Sequence, residues 1–193
     1  AVASTKAYTT QLIALYVFAL FVAEQKKLLS DAEVEHYKND LLSLADSVEE
    51  VLGCESAIKK MSKKLVNQKD MFFLGRGLDY AVAMEGSLKL KEISYIHSEP
   101  YAGGELKHGP IALIEDGTVV VCISTSSDLK PKMDSNIKEV VTRGAYIIGI
   151  QTEGFDTNGF DEMCSIPRVN ELFSPVVSVI PLQLLAYYVS IAK

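Results

Sequence analysis

The sequence predicts an α/β fold in which a parallel sheet carries helices on both faces. From residue 71 onward, short apolar runs alternate with helical patterns at the spacing of parallel strands joined by helices. Apolar residues make up 48% of the 193 residues, which is enough for a sizeable core. Three helical patterns precede the first apolar run, so we expect a helical segment before the sheet.

The helical segment is predicted from its capping signals. The three helices are expected over residues 5–29, 30–51 and 55–67. Ser4 can cap the first helix, and Ser30 followed by Glu33 is a capping signal for the second. The apolar part of the first helix, residues 12–23, is too short to span a bilayer. We therefore interpret this helix as buried.

The rest of the chain is predicted to alternate strands and helices. Strands are expected over residues 71–74, 119–124, 145–150 and 163–166, and helices over residues 79–97, 130–143 and 175–192. Sheets of this kind bind ligands beyond the carboxyl ends of their strands. Two polar segments follow strands there, Gly75-Arg76-Gly77 and the Ser-Thr-Ser-Ser run at 124–127. Either segment could hold a phosphate, or serve as a tight turn or helix cap.

Two of the predicted helices share a short sequence. Residues 11–17 (QLIALYV) and 183–189 (QLLAYYV) agree at five of seven positions. Two copies of one domain, each containing this helix near its end, would produce the repeat. Convergent core composition is the alternative.

Composition excludes several function classes. The formal net charge of −6 argues against nucleic acid as a main partner. Cys122 and Cys164 lie in apolar runs and Cys54 is remote from both in sequence, a pattern typical of reduced cysteines in the cytoplasm. No signal peptide or membrane span is evident. Histidines and acidic residues show no metal-ligand spacing, so no metal is predicted.

The strongest candidate for chemistry is a carboxylate-rich helix followed by a histidine. Glu85, Lys89 and Glu92 occur at i, i+4 and i+7, which places them on one helical face. His108 follows beyond the Gly103-Gly104 break. A carboxylate and a histidine can act as base and acid near neutral pH. Exposed ion pairs and a structural histidine are the alternatives.

Three stretches carry a resemblance to a known family. They are VASTKAYTTQ (2–11), LGRGLDYAVAMEGSLKLKEISYIHSEPYAGGELKHGP (74–110) and PLQLLAYYV (181–189). Together they resemble the isomerase portion of the glutamine–fructose-6-phosphate aminotransferases, the glucosamine-6-phosphate synthase family. That portion consists of two sugar isomerase (SIS) domains, each with a flavodoxin-like parallel sheet. The resemblance implies that residues 1–55 end a first SIS domain and that residues 56–193 form the second.

The resemblance also implies roles for single residues. Glu92 matches the base that moves a proton between C1 and C2 of the sugar, and Lys89 a polar residue that supports it. His108 matches the residue that assists ring opening, which the neighbouring subunit of a dimer supplies. A homodimer that binds fructose 6-phosphate or glucosamine 6-phosphate is therefore expected.

Three further positions match substrate contacts or their support. Val2 and Ser4 match positions that contact the sugar phosphate, and Glu85 matches a supporting residue on the Glu92 helix. No metal or organic cofactor is implied. The family's phosphate loop, imine-forming lysine and glutaminase domain have no counterpart in the sequence, so we expect truncation at both ends and little synthase activity. A non-catalytic SIS module that binds sugar phosphates is the alternative function, and an inactive scaffold a third.

Overall fold

The computed structural model describes residues 3–156 and 159–193. The strands in these ranges are β1 (Asp70–Gly75), β2 (His97–Ala102), β3 (Val119–Ser124), β4 (Tyr146–Thr152) and β5 (Glu162–Ile166). They form one all-parallel sheet in the order β2-β1-β3-β4-β5. The predicted parallel α/β fold is confirmed. The order reverses between β1 and β3, the place where flavodoxin-like sheets have their switch point.

The helices of the described ranges are α1 (Thr5–Gln25), α2 (Asp31–Leu52), α3 (Glu55–Ser62), α4 (Leu78–Ser94), α5 (Lys130–Val141) and α6 (Ser174–Ala192). The predicted capping box of α2 is present, since Ser30 and Glu33 exchange side-chain and backbone hydrogen bonds. The third predicted helix is shorter than expected, because regular α3 ends at Ser62.

Strand β2 was missing from the prediction, which continued α4 to residue 97. The helix ends at Ser94, and Tyr95 adopts a left-handed conformation with φ of 60° that turns the chain. The sequence of β2, HSEPYA, lacks an apolar run because β2 is the edge strand of the sheet. Pro100 is tolerated at such an edge, where one side of the strand needs no partner.

The strands separate two apolar cores, one on each face. Met71 and Phe73 of β1 point into a core formed with α2, α3, α4 and α6. Phe72 and Leu74 point into a second core with α5 and the loop segment around Leu106. This alternation is the period of two that a strand imposes on its side chains. Helical cover on both faces is thus confirmed.

The prediction that α1 is buried is wrong for the described chain. None of the residues in Thr5–Gln25 is buried, and Leu15 and Phe18 are each 64% exposed. Helix α6, which carries the matching sequence, is packed between the sheet and its neighbours and is largely buried. The difference arises because α1 lies outside the sheet layers, and its packing against α2 and α6 leaves side chains such as Leu15 and Phe18 exposed.

Helix α1 ends at Gln25, before the predicted end at residue 29, but it is still longer than the apolar stretch of residues 12–23. In the described ranges, Thr5–Gln25 and Glu171–Ala192 are both long and apolar enough to cross a membrane. Core helices of soluble proteins pass the same test, and the second segment contains the core helix α6. The argument from the 12-residue apolar stretch therefore fails, since the helix itself has 21 residues.

Candidate active site

Helix α4 brings three of the predicted residues together. Nζ of Lys89 lies 2.5 Å from Oε2 of Glu92 and 3.6 Å from Oε1 of Glu85. Lys89 is only 3% exposed, so its ammonium is held between two carboxylates in a partly desolvated setting. The helical face expected from the i, i+4, i+7 spacing is present.

The packing of α4 against α6 fixes this face. A Cβ on Gly86 would lie 2.6 Å from Cδ1 of Leu182, so the two helices approach more closely than a larger residue permits. At the end of α4, the carbonyl oxygen of Ile93 accepts a hydrogen bond from Ser190 and that of Ser94 accepts one from Lys193, both at 2.8 Å. These bonds anchor the turn that carries Glu92 to the end of α6.

Tyr8 of α1 joins the cluster. Burial and the nearby charge of Glu85 raise the pKa of the Tyr8 phenol to about 12. Burial also raises the pKa of Glu85, while the charge of Lys89 lowers it and that of Glu92 raises it. The start of α1 therefore lies beside the middle of α4. The sequence did not indicate Tyr8, because it lies 77 positions before Glu85 and no local pattern links the two.

Of the two predicted sugar-phosphate contacts, the structure describes Ser4, at the start of α1. Ser4 is the exposed N-cap of this helix, and its side chain makes no capping hydrogen bond. Its carbonyl oxygen accepts a hydrogen bond from the N–H of Tyr8, so it lies one turn from the residue beside Glu85. Val2 lies outside the described residues.

His108 lies apart from the α4 cluster. It ends a 3₁₀ turn, Leu106–His108, and is exposed. Leu106 anchors this turn in the core on the opposite sheet face from α4. Among the described residues, no hydrogen bond or ion pair links His108 to Glu92. One copy of the chain therefore does not assemble both predicted catalytic groups.

The α4 cluster is not at the carboxyl edge of the sheet. Helix α4 starts after the carboxyl end of β1 and ends before β2, whose first residue His97 pairs with Asp70 at the amino edge. Glu92, in the last helical turn, therefore lies toward the amino ends of the strands. His97 is the exposed first residue of β2, and its Nδ1 lies 2.8 Å from Oδ1 of Asp70.

The carboxyl edge itself holds a cavity of about 400 Å³ at the switch point. There the buried carboxylate of Asp79 accepts hydrogen bonds from the backbone N–H and the hydroxyl of Thr125, at 2.8 and 2.6 Å. Burial raises the pKa of Asp79, and the bonds from Thr125 oppose that rise. Glu171 accepts from the N–H and hydroxyl of Ser127, which lowers its pKa.

These bonds decide between the alternatives for the polar segments. The N–H groups of Thr125 and Ser127 already bind carboxylates of the protein, which would repel a phosphate. A Cβ on Gly75 would lie 2.3 Å from the carbonyl oxygen of Asp79, as a tight turn requires. The turn alternative therefore fits Gly75-Arg76-Gly77 better than phosphate binding does. The hydroxyls at 124–127 do not cap α5 either, since its N-cap is Leu129 and no side-chain capping bond is present there.

The order of the parallel strands and the helices on both faces define a flavodoxin-like α/β domain. Residues 64–193 match the SIS domain family. The chain belongs to this family.

Relatives named as enzymes are similar to this chain over its whole length. It is 58% identical to glutamine–fructose-6-phosphate aminotransferase (isomerizing) of Clostridium acetobutylicum, covering 100% of this chain and 32% of that protein. The corresponding protein of Thermococcus kodakarensis is 43% identical, with the same coverages. The chain therefore spans about a third of the length of these relatives.

Solved structures agree with the fold. The C-terminal domain of glucosamine-fructose-6-phosphate aminotransferase from Francisella tularensis matches with a TM-score of 0.95 and 40% identity, covering 100% of this chain and 55% of that one. Glucosamine-6-phosphate deaminase from Thermotoga maritima matches with a TM-score of 0.62 over 99% of this chain and 53% of that one. At 23% identity, the second match supports the fold alone.

Proposed function

We propose that this chain is the isomerase part of an enzyme that makes glucosamine 6-phosphate from fructose 6-phosphate and glutamine. The observation that carries the proposal is the buried ammonium of Lys89 fixing Glu92 on α4. Identity of 58% to an aminotransferase of that reaction, over the whole chain, supports it. Such an enzyme would work in the cytoplasm, as the sequence predicts.

In this mechanism Glu92 takes a proton from one sugar carbon and returns it to the neighbouring one. Its side chain is 26% exposed, so a substrate can reach the carboxylate. The ion pair with Lys89 holds the carboxylate in place, and the anchored end of α4 holds the backbone beneath it. A positioned carboxylate of this kind contributes about 10²- to 10⁴-fold to a proton transfer.

We propose that the complete site forms in a homodimer. Glu92 and His108 lie on opposite faces of the sheet in one copy, and His108 is exposed. Two copies could therefore place both groups at one sugar. In this proposal Val2 and Ser4 contact the sugar phosphate.

We further propose that residues 1–55 belong to a first SIS domain and residues 56–193 to a second. The sequence repeat between α1 and α6 supports this division, because α6 packs against a sheet and α1 presents apolar side chains without one. By itself the chain should have little synthase activity.

A chimera tests the proposal. This chain replaces the matching third of the Clostridium acetobutylicum protein, and glucosamine 6-phosphate formation is measured beside that of this chain alone. Glu92→Gln should lower turnover at least about 100-fold and leave fructose 6-phosphate binding within about threefold. Glu35→Gln, an exposed change on α2, is the matched control.

The outcomes separate the alternatives. Unchanged turnover in Glu92→Gln contradicts the assignment of the base. A chimera that binds fructose 6-phosphate but does not turn it over favours the non-catalytic SIS module. Comparable turnover by the chain alone contradicts the expectation of an inactive part.

A further inference from the structure

A polar network runs beneath the segment that presents His108. Nε of Arg76, which follows β1, donates to Oδ1 of Asn136 on α5 at 2.9 Å. Nδ2 of Asn136 donates to Glu139 at 3.4 Å, and the other oxygen of Glu139 lies 2.9 Å from Nζ of Lys107. The network thus connects the turn before α4 with the residue next to His108.

The inner part of the network lies directly under the Gly103 turn. A Cβ on Gly103 would lie 2.6 Å from Oδ1 of Asn136 and 3.2 Å from Cγ and Nε of Arg76. The N–H of Gly103 also donates to the carbonyl oxygen of Gly75 at 2.9 Å. Gly103 is buried and Asn136 is 3% exposed, so this contact is a fixed part of the fold.

Two backbone hydrogen bonds connect the Gly103 turn to His108. The N–H of Glu105 donates to Ala102 at 2.8 Å, and the N–H of His108 donates to Glu105 at 3.0 Å. The 3₁₀ turn has three residues and is followed by Gly109 with φ of 147°. Such a short element has little stability of its own. Its position therefore depends on the Gly103 turn before it.

We propose that Arg76 and Asn136 are positioning residues for His108, an inference that rests on the proposed function. Neither touches the sugar. The planar guanidinium of Arg76 and the amide of Asn136 are hydrogen-bonded to each other and pack against the Gly103 turn. This packing fixes the position from which His108 reaches the partner copy. Displacement of a catalytic group by about 1 Å can cost about 100-fold in rate.

The test uses the chimera and two substrates. Fructose 6-phosphate closes a ring through its 5-hydroxyl, whereas 5-deoxyfructose 6-phosphate cannot and needs no ring opening. Asn136→Leu removes both hydrogen bonds, and Arg76→Met, at a half-buried site, is a second variant that is easier to fold. Both should lower turnover of fructose 6-phosphate at least about tenfold and that of the 5-deoxy analogue by less than about twofold.

Controls define the pattern. His108→Ala should likewise lower turnover of fructose 6-phosphate far more than that of the 5-deoxy analogue. Asn136→Asp keeps the acceptor for Arg76 but sets a carboxylate against Glu139, so it should restore only part of the turnover lost in Asn136→Leu. Arg76, Asn136 and Lys132 all line a small cavity of about 200 Å³, and Lys132 does not join the network. Lys132→Met should therefore leave both turnovers unchanged.

Each outcome is decisive. Equal losses with both substrates, or no loss with either, overturn the positioning role of Arg76 and Asn136. A selective loss in His108→Ala without one in Asn136→Leu and Arg76→Met overturns the inference and leaves the proposed function intact. If His108→Ala does not selectively lower turnover of fructose 6-phosphate, both the ring-opening role of His108 and this inference are wrong. Unchanged turnover in Glu92→Gln contradicts the proposed function itself.

Discussion

Lys89 is the buried member of its ion pair with Glu92. The side chain of Lys89 is 4% exposed and that of Glu92 is 26% exposed, with 2.5 Å between Nζ and Oε2. The cation is therefore fixed inside the protein while the carboxylate reaches solvent. Glu85, 3.6 Å from the same ammonium, has a side chain that is 12% exposed. One buried cation thus holds two carboxylates of different accessibility.

Replacing Lys89 by Met should destabilise the chain by about 3 kcal/mol, because it leaves the carboxylates of Glu85 and Glu92 unpaired and partly buried. Urea unfolding at about pH 7 measures the change. Lys91→Met, an exposed substitution on the same helix, is the control and should change stability by less than about 0.5 kcal/mol. Equal effects of the two substitutions would contradict a special role for the buried cation.

Glu85 should give the chain a pH-dependent stability that Glu85→Gln removes. Burial raises the pKa of Glu85 above its usual 4.5, so the folded state holds the proton more tightly than the unfolded chain. This contribution to stability is fully present below about pH 4.5 and is lost as the pH rises through the folded pKa. The groups facing it are Tyr8, Lys89 and Glu92.

The measurement is the difference in unfolding free energy between Glu85→Gln and the natural chain at several pH values from about 4 to 7. The variant should gain stability relative to the natural chain as the pH rises. A constant difference would show that the Lys89 charge balances burial at this carboxyl, and the opposite slope would show that it outweighs burial; either result contradicts the prediction.

The sequence predicted correctly those elements whose burial shows in the pattern of their own residues. Strand β3 is buried at every position and its apolar run predicted it, and the face of α4 followed from residue spacing. Strand β2 was missed because its sequence, HSEPYA, has no apolar run, and only its pairing with β1 identifies it as a strand. Such pairing depends on the register of two distant segments.

The same limit applies to the site. Tyr8 of α1 lies close enough to Glu85 for its charge to raise the Tyr8 pKa, and Ser190 and Lys193 of α6 bind the end of α4. Each of these partners is about 80 to 100 residues away in sequence, a separation at which local periodicity carries no information. The burial of α6 and the exposure of α1 likewise differ despite similar sequences, because burial depends on what packs against a helix.

Gly86→Ala should destabilise the chain by about 1–3 kcal/mol although alanine favours helices. The added Cβ would lie 2.6 Å from Cδ1 and 3.1 Å from Cβ of Leu182. A double-mutant cycle with Leu182→Ala measures the contact, since the smaller partner makes room for the new methyl group. The double variant should lose less stability than the sum of the single variants. Additive losses would show that α4 and α6 adjust without a clash.

Cys54 should be the most reactive of the three thiols. A hydrogen bond from Cys164 lowers the pKa of the half-buried Cys54, whereas burial raises that of Cys122. The bond to Cys54 and burial raise the pKa of Cys164. Because the thiolate is the reactive form, iodoacetamide at about pH 8 should alkylate Cys54 first.

Peptide mapping by mass spectrometry after short exposure to iodoacetamide measures this order. In urea all three cysteines should react at similar rates, because unfolding removes both burial and the bond between Cys54 and Cys164. The folded Cys54→Ser variant should show no rapid labelling. Labelling of Cys122 as fast as that of Cys54 in the folded chain would contradict the burial of Cys122 beneath α5, where it is fully shielded in the second core.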